Sequence, residues 1–153
     1  MDPKAVRESL GQMSLMMQPD DANPVGNIHG GVILKHIDTC GALTALRHAR
    51  SNVVTASIDR VDFHSPCYVG NLLILKSSLN RTGRTSMEIG VRVEAENVIT
   101  GERRHIASAY LTFVALDGKG KPTPVPAVLP ETEDEQRRFR EAAARRELRL
   151  QHR

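Results

Sequence analysis

Residues 31–49 read GVILKHIDTCGALTALRHA. The run has no proline, mixes Leu, Ile and Ala with small residues, and is long enough to favour a helix. Arg47 and His48 stand at its end, where the negative pole of a helix macrodipole favours basic side chains. Only Lys35, His36, Asp38, Arg47 and His48 are ionisable, so much of the circumference is expected to be buried. A helix this apolar needs a partner layer, and the residues that follow it read as strand after strand.

Residues 52–63 (NVVTASIDRVDF) are rich in β-branched side chains, and Pro66 ends them. Residues 71–79 (NLLILKSSL) form a second run, closed by the turn residues RTGR at 81–84. Residues 86–96 alternate, with Met87, Ile89, Val91, Val93 and Ala95 on one face and Glu88, Arg92, Glu94 and Glu96 on the other. That period of two predicts a strand with one wet face. After a turn at Thr100 and Gly101, residues 104–116 (RHIASAYLTFVAL) make the longest strand. Short turns between consecutive strands predict antiparallel neighbours. Upstream, residues 8–18 (ESLGQMSLMMQ) fit strand or helix by pattern alone, and residues 19–31 (PDDANPVGNIHGG) read as loop.

Residues 117–130 (DGKGKPTPVPAVLP) hold four of the eight prolines and are expected to form no regular structure. Beyond them, Glu131, Glu133, Asp134 and Glu135 precede an Arg-rich stretch, an order that suits a helix dipole. Phe139, Ala142, Ala143 and Leu150 give that helix a thin apolar stripe, so it is expected to pack on a subunit edge or fray. The fold class expected is α+β, with one long helix covering a curved sheet of about five strands.

A chain of 153 residues, 40% hydrophobic and 25% charged, suits one ordinary globular domain. Aromatics are 3% with no Trp, which argues against a nucleic-acid reader built on stacking. The net charge of +3 is spread thinly: residues 131–153 hold seven Arg against six acids. No dense basic stripe exists for a phosphate backbone, so no nucleic-acid partner is expected. The first residues, MDPKAVRESLGQMSLMM, lack the apolar core of a signal peptide, and no run approaches the ~20 residues of a membrane span. A cytoplasmic protein with no membrane partner is expected. Cys40 and Cys67 lack CxxC spacing and read as free thiols, a disulfide between them being the alternative.

Asp38 is the informative residue. Helical spacing puts it on one side with Gly41, Ala42 and Ala45, small residues that admit a close neighbour and leave the carboxylate partly desolvated. A carboxylate held out of water suits a general base or nucleophile, whereas an exposed or capping Asp would have no chemistry. Gly30 and Gly31 open the same helix, where bare backbone N–H groups favour an anion, or simply mark a tight turn. Asn27 and His29 precede them and could orient water or a carbonyl, or could be turn formers. The histidines lack ligand spacing, and no metal is expected.

Four blocks together carry a family resemblance: PDDANPVGNIHGGVILKHID (19–38), RVDFHSPCYVGN (60–71), TGRTSMEIGVRVEAENVITGERR (82–104) and LTFVALDGKGKPTPVP (111–126). In this order the chain resembles the hot-dog-fold acyl-CoA thioesterases, above all the cytosolic acyl-CoA hydrolase branch with its bacterial YciA-like enzymes. The resemblance implies a long helix wrapped by a five-stranded antiparallel sheet, placing that domain at residues 1–127. Residues 128–153, read as a Pro-bounded linker and charged C-terminal helix, hold the departure from the family pattern, a tail after Pro130 that varies in such proteins and supports no site assignment. It also implies a homodimer with sites at the interface, commonly in trimers of dimers. Residue by residue it implies Asp38 as the catalytic carboxylate, Asn27 as the catalytic Asn and the Gly31 amide as thioester-oxygen donor beside Gly30. Gly83, Arg84, Thr85 and Ser86 would contact coenzyme A, which is part of the substrate, so no separate cofactor is implied. Rival activities on this fold are a dehydratase acting on acyl thioesters and a non-hydrolytic acyl-CoA sensor.

Overall fold

The computed structural model describes residues 1–152. A five-stranded antiparallel sheet holds β2 (Gly11–Met16), β3 (Asn52–Phe63), β4 (Leu72–Thr82), β5 (Ser86–Glu96) and β6 (Arg103–Leu116), in the spatial order β2-β4-β5-β6-β3. Helix α1 (Gly30–Ala49) lies across one face, and helix α2 (Glu133–Gln151) follows the last strands. This is the hot-dog arrangement implied by the four sequence blocks. The ambiguous segment at 8–18 resolves into strand β2, paired antiparallel with β4.

Three local readings are corrected. The expected antiparallel pairing of successive strands holds for β4–β5 and β5–β6, but β3 pairs with β6 instead of β4. The eight residues between β3 and β4 are too many for a tight hairpin, and they carry the chain from one edge to the other side of the sheet. The proline-rich segment also contains regular structure: β7 (Val128–Leu129) pairs in parallel with β1 (Lys4–Ala5). Pro126 and Pro130 flank that strand rather than interrupting it, so its donors remain available.

The third correction concerns the face predicted to be wet. Glu88 is only 4% exposed, because α2 packs over that part of the outer sheet face. Arg145 of α2 donates to Glu88 through Nε at 2.7 Å and Nη2 at 3.0 Å, and Asn80 Nδ2 donates to it at 3.1 Å. The Arg145 guanidinium stacks on the Tyr110 ring at 3.7 Å, and Arg81 stacks on Phe139 at 4.1 Å. The thin apolar stripe of α2 is thus supplemented by cation–π contacts and a buried ion pair. Thr132 and Glu135 close its N-terminus as a reciprocal capping box.

The core lies between α1 and the inner face of the sheet. Ile37 and Cys40 of α1, and Leu73, Leu75, Ile89 and Leu111 of the sheet, are wholly excluded from solvent. Gly41 lets the Phe113 ring approach: a Cβ there would stand 3.1 Å from it. The helix therefore seats closely on the sheet just where β6 neighbours β3. Strand β3 is a sheet edge, and along it Val54, Ile58 and Phe63 are 46%, 39% and 52% exposed. An apolar edge of this kind is open to pairing with another chain.

Candidate active site

Asp38 projects from α1 toward β3, where Thr55 Oγ1 donates a hydrogen bond to its Oδ1 at 2.7 Å. Asp38 is half-buried, and its second oxygen makes no hydrogen bond among the described residues. One oxygen is held and the other is open to a water molecule. A β-bulge follows Thr55, breaking the β3–β6 register between Thr55 and Ser57. Bulges of this type re-aim side chains next to functional sites. Nothing in the sequence singled out Thr55. Its partnership with Asp38 depends on the register of β3 against the helix, which no local pattern encodes.

The start of α1 offers the donors expected of it. His29 is the N-cap residue but supplies no side-chain cap, and its carbonyl accepts from Val32 and Ile33. The Gly30 and Gly31 N–H groups have no partner among the described residues, and both glycines are exposed. Seven residues of helix put Gly31 about 10 Å along the axis from Asp38. Asn27 forms a bridge with Tyr68 through its backbone, leaving its half-buried side chain without a hydrogen bond among the described residues. Its neighbour Asn23 shapes the loop: Asn23 Oδ1 accepts from the N–H of Val25 and of Asn27, both at 3.1 Å.

The structure brings Asp38 and Thr55 together but keeps the other candidates apart within one chain. Gly30, Gly31 and Asn27 lie at the N-terminal end of α1, near Phe63 and Tyr68. Gly83, Arg84 and Thr85 form the turn between β4 and β5, which Ser86 closes by accepting from the Gly83 N–H at 2.8 Å. Thr82, Met87, Phe113 and Thr55 share one row across the sheet. The turn therefore sits at the Thr55 end of the sheet, two strand spacings or about 10 Å from β3.

Other nucleophiles are poorly placed. Cys40 and Cys67 are free and buried, and burial pushes both thiols up in pKa, which keeps them protonated and weakly nucleophilic. His48 is fully buried at the other end of α1, bonded through Nε2 to the Pro126 carbonyl at 2.7 Å. His64 and His105 stack on each other with centroids 4.5 Å apart. Among the described residues no group of three His, Cys, Asp or Glu is arranged to hold a metal, and no helix is long and apolar enough to cross a membrane.

Known proteins share this architecture. Residues 25–102 match the thioesterase superfamily model. The cytosolic acyl coenzyme A thioester hydrolase of Rattus norvegicus is 38% identical over 146 residues, covering 94% of this chain. The chain spans only 38% of that relative's length. A Bacillus subtilis protein named as an uncharacterized acyl-CoA thioester hydrolase, YkhA, is 45% identical over 117 residues, covering 76% of this chain and 68% of its own. Among solved structures, an apo-hexameric acyl-CoA thioesterase superposes with a TM-score of 0.95 at 47% identity, covering 99% of this chain and 97% of that one. An acyl-CoA hydrolase from Staphylococcus aureus, solved with butyryl coenzyme A, coenzyme A and coenzyme A disulfide, has a TM-score of 0.90 at 37% identity, covering 97% and 91%. Its alanine variants replace an aspartate, a threonine seventeen residues later and an asparagine fifteen residues earlier. Here seventeen residues separate Asp38 from Thr55, and fifteen separate Asn23 from Asp38.

Proposed function

The chain belongs to the thioesterase superfamily, and from that premise we propose that it hydrolyses acyl-CoA to a free acid and coenzyme A, with Asp38 as the catalytic carboxylate. The observation that carries this is the Asp38–Thr55 pair: a half-buried carboxylate with one oxygen oriented and one open, beside an unpaired sheet edge. The matching seventeen-residue interval in the S. aureus hydrolase supports it.

Asp38 takes the proton of a water as its oxygen attacks the thioester carbon, or attacks that carbon itself to give an anhydride that water then cleaves. The carbon–sulfur bond breaks and coenzyme A leaves as thiolate. In the first route it takes the proton held by Asp38, and in the second it takes the proton released when water cleaves the anhydride and frees the acid and Asp38. Thiolate is a good leaving group, so no separate strong acid is needed, and the step balances without a metal or organic cofactor. The Gly31 amide, beside Gly30, donates to the developing oxyanion. The ~10 Å rise between Gly31 and Asp38 exceeds what a single thioester carbonyl bridges, so the donor and the carboxylate that meet at one substrate come from two protomers. Joining two sheets at their β3 edges would cover Val54 and Ile58 and assemble both halves. Asn27 of the opposing protomer positions water or substrate, with Asn23 as its rival on the fifteen-residue interval. A trimer of such dimers fits the hexameric state of its structural relative. The Gly83–Ser86 turn contacts the coenzyme A portion. A cytoplasmic location fits two free, buried thiols.

Release of free thiol on mixing with acyl-CoA separates hydrolysis from dehydration and from binding alone. Wild-type protein should release it and Asp38→Asn should not, at equal fold and oligomeric state. An Asp38→Asn variant that kept most of the activity would end this reading.

A further inference from the structure

The C-terminal helix approaches the β4–β5 turn at one point. An ideal Cβ on Gly83 would stand 2.5 Å from Nη1 of Arg146 and 2.6 Å from Ser86 Oγ, so the Arg146 guanidinium lies directly over the turn. The absence of a side chain at Gly83 lets the guanidinium rest against the turn. Arg81, Arg146 and Arg149 line one shallow pocket with Gly83 and Ser86.

These arginines are not equivalent. Arg149 is paired with Asp59 at 2.6 Å, and the adjacent Arg145 is saturated by Glu88. Arg81 is engaged with Phe139 through its ring and carbonyl. Arg146 makes no ion pair or hydrogen bond among the described residues. Its neighbours one helical turn away are Ala142, Ala143, Arg149 and Leu150, none of them acidic. Arg84, at the tip of the turn, is likewise without an ion pair among the described residues. The Arg84 and Thr85 N–H groups also lack a backbone acceptor there. The Arg146 guanidinium and the Ser86 hydroxyl meet over Gly83, and the same turn carries the unpaired Arg84 side chain, two free amides and the Thr85 hydroxyl, a donor set that fits a phosphate group.

We propose that Arg146 is a phosphate-binding residue for coenzyme A, so that the phosphate subsite is built by the β4–β5 turn and the C-terminal helix together. This rests on the acyl-CoA substrate proposed above. It gives α2 a role in substrate binding and explains why the helix is anchored to the sheet by Arg145 and Arg149, on either side of Arg146. The Glu88 and Asp59 carboxylates neutralise the anchoring arginines and leave Arg146 as the free charge.

The test compares wild type, Arg146→Gln and Arg140→Gln, the last removing the same charge from an exposed position on the same helix. Coenzyme A binding is measured by calorimetry, and turnover with an acyl-CoA and with the matching acyl-pantetheine, which lacks the phosphates. Arg146→Gln should weaken coenzyme A and raise the acyl-CoA KM about ten-fold, the loss of a charge-assisted contact, with kcat within about two-fold of wild type. Arg140→Gln should match wild type, and all three should be alike on acyl-pantetheine. Unchanged coenzyme A affinity in Arg146→Gln, or an equal loss on acyl-pantetheine, overturns the assignment while leaving hydrolysis intact. A wild type that binds coenzyme A through Arg146 yet releases no thiol supports the subsite and ends the hydrolase reading; a wild type that binds no coenzyme A ends both.

Discussion

Thr55 Oγ1 donates to Asp38 Oδ1 across 2.7 Å, joining the middle of the long helix to the free edge of the sheet. A hydroxyl donor fixes which carboxylate oxygen faces outward, and so the direction from which water is activated. Replacing Thr55 by Val removes that donor at nearly constant volume. A 10- to 100-fold fall in kcat is expected, about the value of one hydrogen bond to a charged group, while Thr55→Ser retains most turnover. Steady-state thiol release on both variants is the check; equal activity of Val and Ser variants would remove Thr55 from the mechanism.

The Asp38 carboxylate carries more. Asp38→Asn keeps the shape and the bond from Thr55 but cannot accept the proton, so kcat should fall by about 10²–10⁴-fold. Circular dichroism and sedimentation should be indistinguishable from wild type.

Two inactive variants test the sharing of sites. If Gly31 and Asp38 of one site belong to different protomers, mixing Asp38→Asn with Gly31→Pro under subunit exchange creates dimers with one intact site. Random pairing then restores about a quarter of wild-type activity. Proline at 31 deletes an N–H that bonds to nothing among the described residues, at a helix position that tolerates it. No recovery on mixing would place donor and carboxylate in the same chain. The same exchange with Asn27→Ala and Asn23→Ala shows which asparagine the site needs.

Glu88→Gln should destabilise the fold by about 2–4 kcal/mol, near the cost of leaving one member of a buried ion pair alone. Arg145, at 22% side-chain exposure, recovers part of that from solvent. Urea unfolding at fixed protein concentration measures it, and the joint replacement Glu88→Leu with Arg145→Leu should lie closer to wild type than Glu88→Gln.

His48 gives the fold a pH dependence. Burial lowers its pKa, opposed by the hydrogen bond to Pro126 and assisted by the nearby Lys4 charge, while Glu8 acts the other way. With Nε2 turned to the Pro126 carbonyl, Nδ1 is buried without a partner, and a proton there would find no acceptor. The unfolded chain takes up a proton near pH 6.5 and the folded one does so only lower. Stability from this group is therefore present above about pH 6.5 and declines as the pH falls toward the folded value. His48→Gln should flatten the fall in urea midpoint between pH 7 and 5; an unchanged slope would assign it to other groups.

Much of the proposed site was legible from residue order. Asp38 stands out because an acid in an otherwise apolar helix has few structural excuses, and the glycines before it because an uncapped helix start leaves donors free. Thr55 was invisible, since threonine is an ordinary strand residue and only the register of β3 brings it to Asp38. Arg146 was invisible for another reason: it is one of seven arginines in a charged tail, and only the docking of α2 separates the paired ones from the free one.

By itself, the sequence determined the long helix at 31–49, the alternation of 86–96 and the turns between the later strands, because periodicity and turn chemistry act between residues close in the chain. The tertiary structure alone decided that β3 lies against β6 and that Glu88 is covered while Arg92, four residues on, is exposed. It also decided that the Asp38 carboxylate faces an open edge. Those outcomes depend on which distant segments meet, and a side chain's burial is a property of its neighbours in space.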